Sequence, residues 1–464
     1  MGTTNGKWIV VLLLLLLSIP VLAACASAGG EEPPSGRTEL VYASFQPFGV
    51  DREVRQAIEM FNRTHYNDIH IEIKDYWGDD WETAVQGRER LMTELAAGNV
   101  PDILDLGYTN GTAAMLPYQQ LAQKGYLEDL WPYIESDPEL GREGVFEPPF
   151  EAAEVNGGLY VVFGSVRGIV TLAGAERVVE NRTSWSLADL RAAFAAMPEG
   201  STVLEYIATR AKTAERLLGM NMGNYVDWEA GQCHFDCENF RTDLEFLKEL
   251  PEEIEWPSDE IVNRELGNRM EEGRQMLEYT VVSTPHDIQK YDAVFKGRAS
   301  FVGFPVEDGS VGSAYFPSFT RLSMTTACQN KEAAWEIIRQ LLLPRYHDQE
   351  DVARIYLQAG SIDIPINRSD YELVRETFMA KNCLNTTWGY YGGSTWVELR
   401  ESTETEMQRF EDLLYSIDKI DMCDSTIYNI VLEQAGPYFA GDKTLDEAVE
   451  LIQRRVTLYV NENR

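Results

Sequence analysis

The sequence has 464 residues, with 40 Lys and Arg against 75 Asp and Glu and a formal net charge of -35. At 44% hydrophobic and 11% aromatic it is not a disordered chain; it fits a globular protein of two or three domains at roughly 150 residues each. The acidity excludes nucleic acid and a polybasic membrane surface, because both need a basic patch.

Trp8 to Ala24 form an apolar run interrupted at Ser18 and Pro20. Its Leu-rich part is shorter than the roughly 20 apolar residues that span a bilayer, so it reads as the hydrophobic region of a signal peptide preceded by Lys7. Leu22-Ala23-Ala24-Cys25 resembles the lipobox of bacterial lipoproteins, in which the Cys thiol receives diacylglycerol. Residues 1–24 are then a lipoprotein signal peptide. Residues 25–38, small, polar and rich in Gly and Pro, are a flexible tether. The mature protein is expected outside the cytoplasm, held on the bacterial cell membrane through Cys25. Cys233, Cys237, Cys328, Cys383 and Cys423 are an odd set, so at least one thiol stays free. Buried thiols or one or two disulfides fit them. Cys233-His234 and Cys237 have no second ligand cluster, and no metal or cofactor is expected.

Leu40 to Ala43 read as a first strand. A helix follows from about Asp51 to Arg63, with Val54, Ile58 and Phe61 on one face. Ile69, Ile71 and Ile73 alternate as a strand. Gln86 to Ala97 is helical and stops at Gly98; Pro101 to Leu106 is a short buried strand. Strand, helix, strand, helix, strand predicts a parallel sheet, whose ligands sit beyond the carboxyl ends of the strands. That points to Tyr42–Phe48, Tyr76–Trp81 and Asp105–Asn110. Ser186, Asn330 and Thr444 open later helices, and Leu445, Val449, Ile452, Val456 and Tyr459 make one apolar stripe. Gly436 to Thr444 approaches a phosphate-loop pattern. Asp442 breaks it, and the stretch reads as a turn plus a helix cap.

A set of ordered motifs resembles a known family. These are the helix at Asp51–Asn62, LMTELAAGNVPDILDL (Leu91–Leu106), LAQKGYLEDLWPYIESD (Leu121–Asp137), NGGLYVVF (Asn156–Phe163), SWSLADL (Ser184–Leu190), VGFPVEDG (Val302–Gly309), NKEAAWEIIRQLL (Asn330–Leu342) and Gly441–Glu462. Together, from about residue 38 to the end, they are similar to the extracellular solute-binding lipoproteins of ABC importers, family 1 type, which include sugar binders. The resemblance implies an α/β, two-lobe periplasmic-binding-protein-like fold (type II), each lobe a sheet flanked by helices. Lobe 1 would be 39–150 plus about 310–363, and lobe 2 151–309 plus about 364–464. The crossings would lie near Glu151–Gly164, Ser300–Ser313 and Ile364. It implies a non-enzymatic monomer that captures a small solute, most readily a mono- or oligosaccharide, and presents it to membrane permease subunits. Two alternatives are a tethered glycan-active hydrolase and a ligand-sensing lipoprotein of the same fold.

The candidate contact residues follow from position and chemistry. Phe45, Asp105 and Tyr108 lie at strand ends. Trp77 and Asp79 belong to an acidic, Trp-bearing stretch with Asp75, Asp80, Trp81 and Glu82, where aromatic faces can stack on a sugar ring and carboxylates can accept from its hydroxyls. Arg167, in GSVRG, can donate to a hydroxyl or carboxylate; its ordinary reading is a salt bridge. Trp388, Tyr390 and Tyr391 crowd a Gly-rich loop that reads equally as cleft wall or ordinary loop packing. No nucleophile motif stands out, and no catalytic residue is named.

Overall fold

The computed structural model describes residues 36–47, 49–107, 118–180, 182–205, 208–228, 230–253, 269–381, 384–390, 394–421 and 423–463. Cys25, Tyr108, Tyr391 and Cys383 lie outside the described residues, as do the expected leader and most of the expected tether.

The chain opens with β1 (Thr38–Ser44), α1 (Arg52–Thr64), β2 (Ile69–Asp75), α2 (Trp81–Ala96) and β3 (Ile103–Asp105). Asp51 caps α1 by accepting from the Glu53 and Val54 amides at 2.9 and 3.3 Å, which supplies partners the first turn lacks. Val54, Ile58 and Phe61 are its buried face, each burial contributing roughly 1.5–3 kcal/mol. β1 pairs in parallel with both β2 and β3, as the alternating pattern requires. Helix α2 starts at Trp81, ahead of the expected Gln86, because Asp80 and Thr83 form a reciprocal capping box.

The second sheet is built on one long strand, β4 (Ser165–Ala175). Helices α3 (Leu187–Ala195), α4 (Arg210–Tyr225) and α5 (Glu238–Glu249) follow, then β5 (Leu277–Val282), α6 (Pro285–Val294), β6 (Ala299–Val302) and β7 (Ala314–Pro317). β5, β6 and β7 all pair antiparallel with β4. The chain then joins the first sheet as β8 (Leu322–Met324), antiparallel to β3. It continues through α7 (Lys331–Ile338) and α8 (Gln349–Ala359), and returns to β4 as β9 (Ile364–Pro365). Helix α9 (Arg368–Met379), the hairpin β10 (Thr386–Gly389) and β11 (Trp396–Leu399), α10 (Glu404–Ser416), α11 (Ser425–Ala440) and α12 (Leu445–Asn463) complete it. Gly436–Ala440 are the last turn of α11, which differs from the expected turn; Gly441, in the left-handed region, ends that helix, and Thr444 with Glu447 caps α12 as expected.

Two lobes result, joined among the described residues by three passages at 163–165, 318–321 and 361–363. The passages lie side by side: the Ile366 amide donates to the Gly164 carbonyl at 3.0 Å, and the Ser318 amide to the Ser165 carbonyl at 2.9 Å. The return passage differs from expectation. Residues 300–313 stay in the second lobe because β6 and β7 both pair with β4, and the first sheet is reached only at Leu322. Likewise, Leu159, Val161 and Val162 still pack in the first lobe's core, and Val162 bridges Leu322.

Alternation along the second sheet separates two faces. Leu277, Tyr279 and Val281 face the core formed with α4, α5, α11 and α12. Glu278 faces the other way, toward α6 and the β10–β11 hairpin.

Candidate functional site

A cavity of about 480 Å³ opens where the three passages meet. The first lobe contributes Gln46, Gly49 and Val50 from the loop after β1, Asp51 and Arg52 at the start of α1, and Leu341 and Arg345 after α7. Gly164, Ser165, Ser318, Phe319, Thr320 and Asp363 come from the passages, and Arg167 from the second lobe. A space lined by both lobes changes shape whenever the lobes rotate about the passages.

Arg167 is exposed into this space. Its guanidinium carbon lies 4.5 Å from the Phe319 ring centre and 5.3 Å from that of Phe316, an arrangement stabilised by the negative face of each ring. Among the described residues the guanidinium makes no hydrogen bond and no ion pair within 4.0 Å, and Asp363, in the same cavity, is the carboxylate whose charge it acts on. The aim of the side chain comes from a β-bulge: the β4–β7 register shifts between Val166 and Gly168. Gly168 permits it, with φ at +143° and no room for a Cβ, which would meet the Val282 carbonyl oxygen at 2.6 Å.

Asp105 stands one layer behind. It is fully buried at the end of β3 and accepts from the Tyr42 hydroxyl at 2.8 Å, from Gln46 Nε2 at 2.7 Å and from the Gly107 amide at 3.2 Å. Burial raises its carboxyl to about 6, against the pull of the Tyr42 and Gln46 hydrogen bonds. Gln46 Nε2 also donates to the Phe319 carbonyl at 3.2 Å. Asp105 therefore positions Gln46, and Gln46 ties the first lobe to the return passage. Arg321 is buried beside it, and burial pulls its guanidinium down to about 10.

Asp363 accepts from the Ser165 hydroxyl at 3.1 Å. Burial raises its carboxyl, while Arg167 and Arg345 lower it. Arg345 pairs with Glu53 at 3.4 Å. It lies so close to Gly164 that a Cβ there would meet its Nη2 at 2.7 Å and the Leu341 carbonyl oxygen at 2.7 Å.

The other sequence candidates fall elsewhere. Phe45 is completely buried and stacks on Tyr76 with ring centres 5.3 Å apart, so it is a core residue. Trp77 is buried against Ala84 and Val85. Asp79 is exposed in the turn before α2, while its neighbours Asp75 and Asp80 accept from local amides. Trp388 and Tyr390 pack on the face of the second sheet opposite Arg167. The Tyr390 hydroxyl donates to Glu278 at 2.6 Å, and Lys290 lies 5.9 Å from the Trp388 ring centre. They do not wall the cavity, because β5 alternation sends Glu278 and its partners away from it. Of the sequence candidates, Arg167 lines the cavity and Asp105 supports it. Gln46 lay within a stretch marked by strand-end position. Phe319, Ser165, Asp363 and Arg345 had no local signal, since folding alone gathers them.

Among the described residues no group of three His, Cys, Asp or Glu can hold a metal ion, and Cys233, Cys237, Cys328 and Cys423 are free thiols.

No protein-family model matches the sequence, and no curated protein matches it. Among solved structures, the sugar-binding protein MalE from the phytopathogen Xanthomonas citri is similar in fold, with a TM-score of 0.50 at 16% identity over 92% of this chain and 98% of that one. The chain has the two-lobe periplasmic-binding-protein-like fold. A de novo designed cysteine esterase, ECH19, is equally similar, with a TM-score of 0.50 at 15% identity over 92% of this chain and 99% of that one. The binding-protein-like fold thus hosts a sugar binder and a designed esterase, and function has to be argued from the site.

Proposed function

We propose that this protein captures a small solute, most readily a carbohydrate, between its lobes outside the cytoplasm and presents it to the permease subunits of an ABC importer. The observation that carries this is the cavity at the three passages, which Arg167 lines with a guanidinium whose donors make no hydrogen bond among the described residues. A group held in place with empty hydrogen-bonding capacity is prepared for a partner from solution. The likeness in fold to a sugar-binding protein supports a saccharide as that partner. Anchoring through a lipid on Cys25, a monomeric state and delivery to a permease are parts of the same proposal. The mechanism is a shift of population: solute touching both lobes binds the closed form better than the open one.

A thermal-shift screen of the protein against mono- and oligosaccharides, amino acids and peptides tests the reading. Solute that binds only the folded state raises the melting temperature. We expect a rise with one saccharide class, with the saccharide recovered intact. Cleavage of the saccharide would replace the importer with the hydrolase. A rise with peptides alone would discard the carbohydrate.

A further inference from the structure

We infer that the captured solute carries a carboxylate and that Arg167 is the residue that recognises it. This rests on the solute-capture reading and narrows its substrate class to acidic saccharides such as uronic acids. The chain has 75 acidic residues against 40 basic ones, so an exposed arginine has many carboxylates to choose from. Arg167 makes a close ion pair with none of them among the described residues; Asp363 acts on it only through charge, and the guanidinium lies against the Phe319 and Phe316 rings. The two ring contacts engage the guanidinium through its charge and use none of its N–H donors, and a guanidinium with free donors can meet a carboxylate with two parallel hydrogen bonds.

The surroundings favour an anion. Arg52 and Arg345 line the same cavity, Arg345 being paired with Glu53 at 3.4 Å. Of the cavity's two carboxylates, Asp51 caps α1, and Asp363 accepts from Ser165 and is shared electrostatically between Arg167 and Arg345. Closing the lobes over Arg167 would strip water from a cation. A neutral sugar hydroxyl offers it no countercharge, whereas a carboxylate does. The cavity, at about 480 Å³, falls within the range of about 300–1,000 Å³ usual for small-molecule sites and far exceeds a bare carboxylate. The hydroxyls of Ser165, Ser318 and Thr320 line the remainder and suit a polyhydroxylated body.

The test is isothermal titration of the full chain in mild detergent against matched pairs: digalacturonate with galactobiose, and cellobiouronate with cellobiose. Succinate and a glutamyl dipeptide are the arms without sugar. We expect one acidic disaccharide to bind at least tenfold tighter than its neutral counterpart. Arg167→Gln should abolish most of that preference and leave the melting temperature of the free protein unchanged, while Arg167→Lys should keep part of it. A neutral disaccharide bound as tightly as its acid, or an Arg167→Gln variant with undiminished preference, would overturn the inference and leave solute capture standing. Binding of succinate or the dipeptide alone would overturn the acidic-sugar class. No binding by any of the probes would overturn this inference and the carbohydrate reading together.

Discussion

Arg167 and Tyr390 lie on opposite faces of the second sheet, and both rest against aromatic rings. On the Tyr390 side the hydroxyl donates to Glu278, and Trp388 and Tyr390 pack together with ring centres 5.9 Å apart. On the Arg167 side the guanidinium lies against two rings and makes no hydrogen bond among the described residues. Aromatic richness marked the first region in the sequence, yet it serves packing. Unfilled hydrogen-bonding capacity marks the second, and that is what a binding site keeps in reserve.

The comparison can be broken most forcefully through stability. Phe45→Ala, at a fully buried ring stacked on Tyr76, should cost about 3–5 kcal/mol in chemical denaturation. A much smaller loss would mean the ring is not core. On the Tyr390 side, burial raises the Glu278 carboxyl from 4.5 to about 7. Because the folded value lies above the unfolded one, this contribution is intact at low pH and is lost as pH rises from 4.5 through about 7, on the order of 3 kcal/mol. His286 runs the other way: burial lowers it to about 4, so its contribution is intact above 6.5 and lost as pH falls toward 4. Glu278→Gln should therefore match the parent near pH 4.5 and exceed its stability near pH 8 by that order, read from denaturation midpoints across pH.

Smaller effects sharpen the same contrast. Gly164→Ala places a methyl group 2.7 Å from the Leu341 carbonyl oxygen and should cost about 1–3 kcal/mol, with altered solute affinity because the Arg345 side chain must also shift. Tyr390→Phe should cost about 1–3 kcal/mol, since it leaves the buried Glu278 carboxyl without its donor, and should leave solute affinity within about twofold. Arg167→Ala should change stability least, within about 0.5 kcal/mol, because the side chain is exposed and makes no hydrogen bond among the described residues.

The first lobe was largely legible because its information is local. The Val54, Ile58 and Phe61 stripe and the alternating Ile69, Ile71 and Ile73 sit next to one another in sequence, and the parallel β1–β2–β3 pairing follows from them. The early start of α2 was also readable from Asp80 and Thr83, a capping pair placed just ahead of the apolar pattern. The cavity was not legible. Gln46 and the Phe319 carbonyl it binds are 273 residues apart. Periodicity cannot show that β8 returns to pair with β3, nor that the return passage sets Phe319 beneath Arg167. The loop at Trp388 and Tyr390, open in the sequence between cleft wall and ordinary packing, was undecidable for the same reason: only the direction of Glu278 on β5 decides which face they cover.

The most direct test of the central claim is to titrate the parent, Arg167→Ala and Tyr390→Phe with the saccharide that gives the largest melting shift. A site at the three passages predicts at least a tenfold loss of affinity for Arg167→Ala and a change within about twofold for Tyr390→Phe. Undiminished binding by Arg167→Ala together with loss in Tyr390→Phe would place the solute on the opposite face of the second sheet and contradict the account.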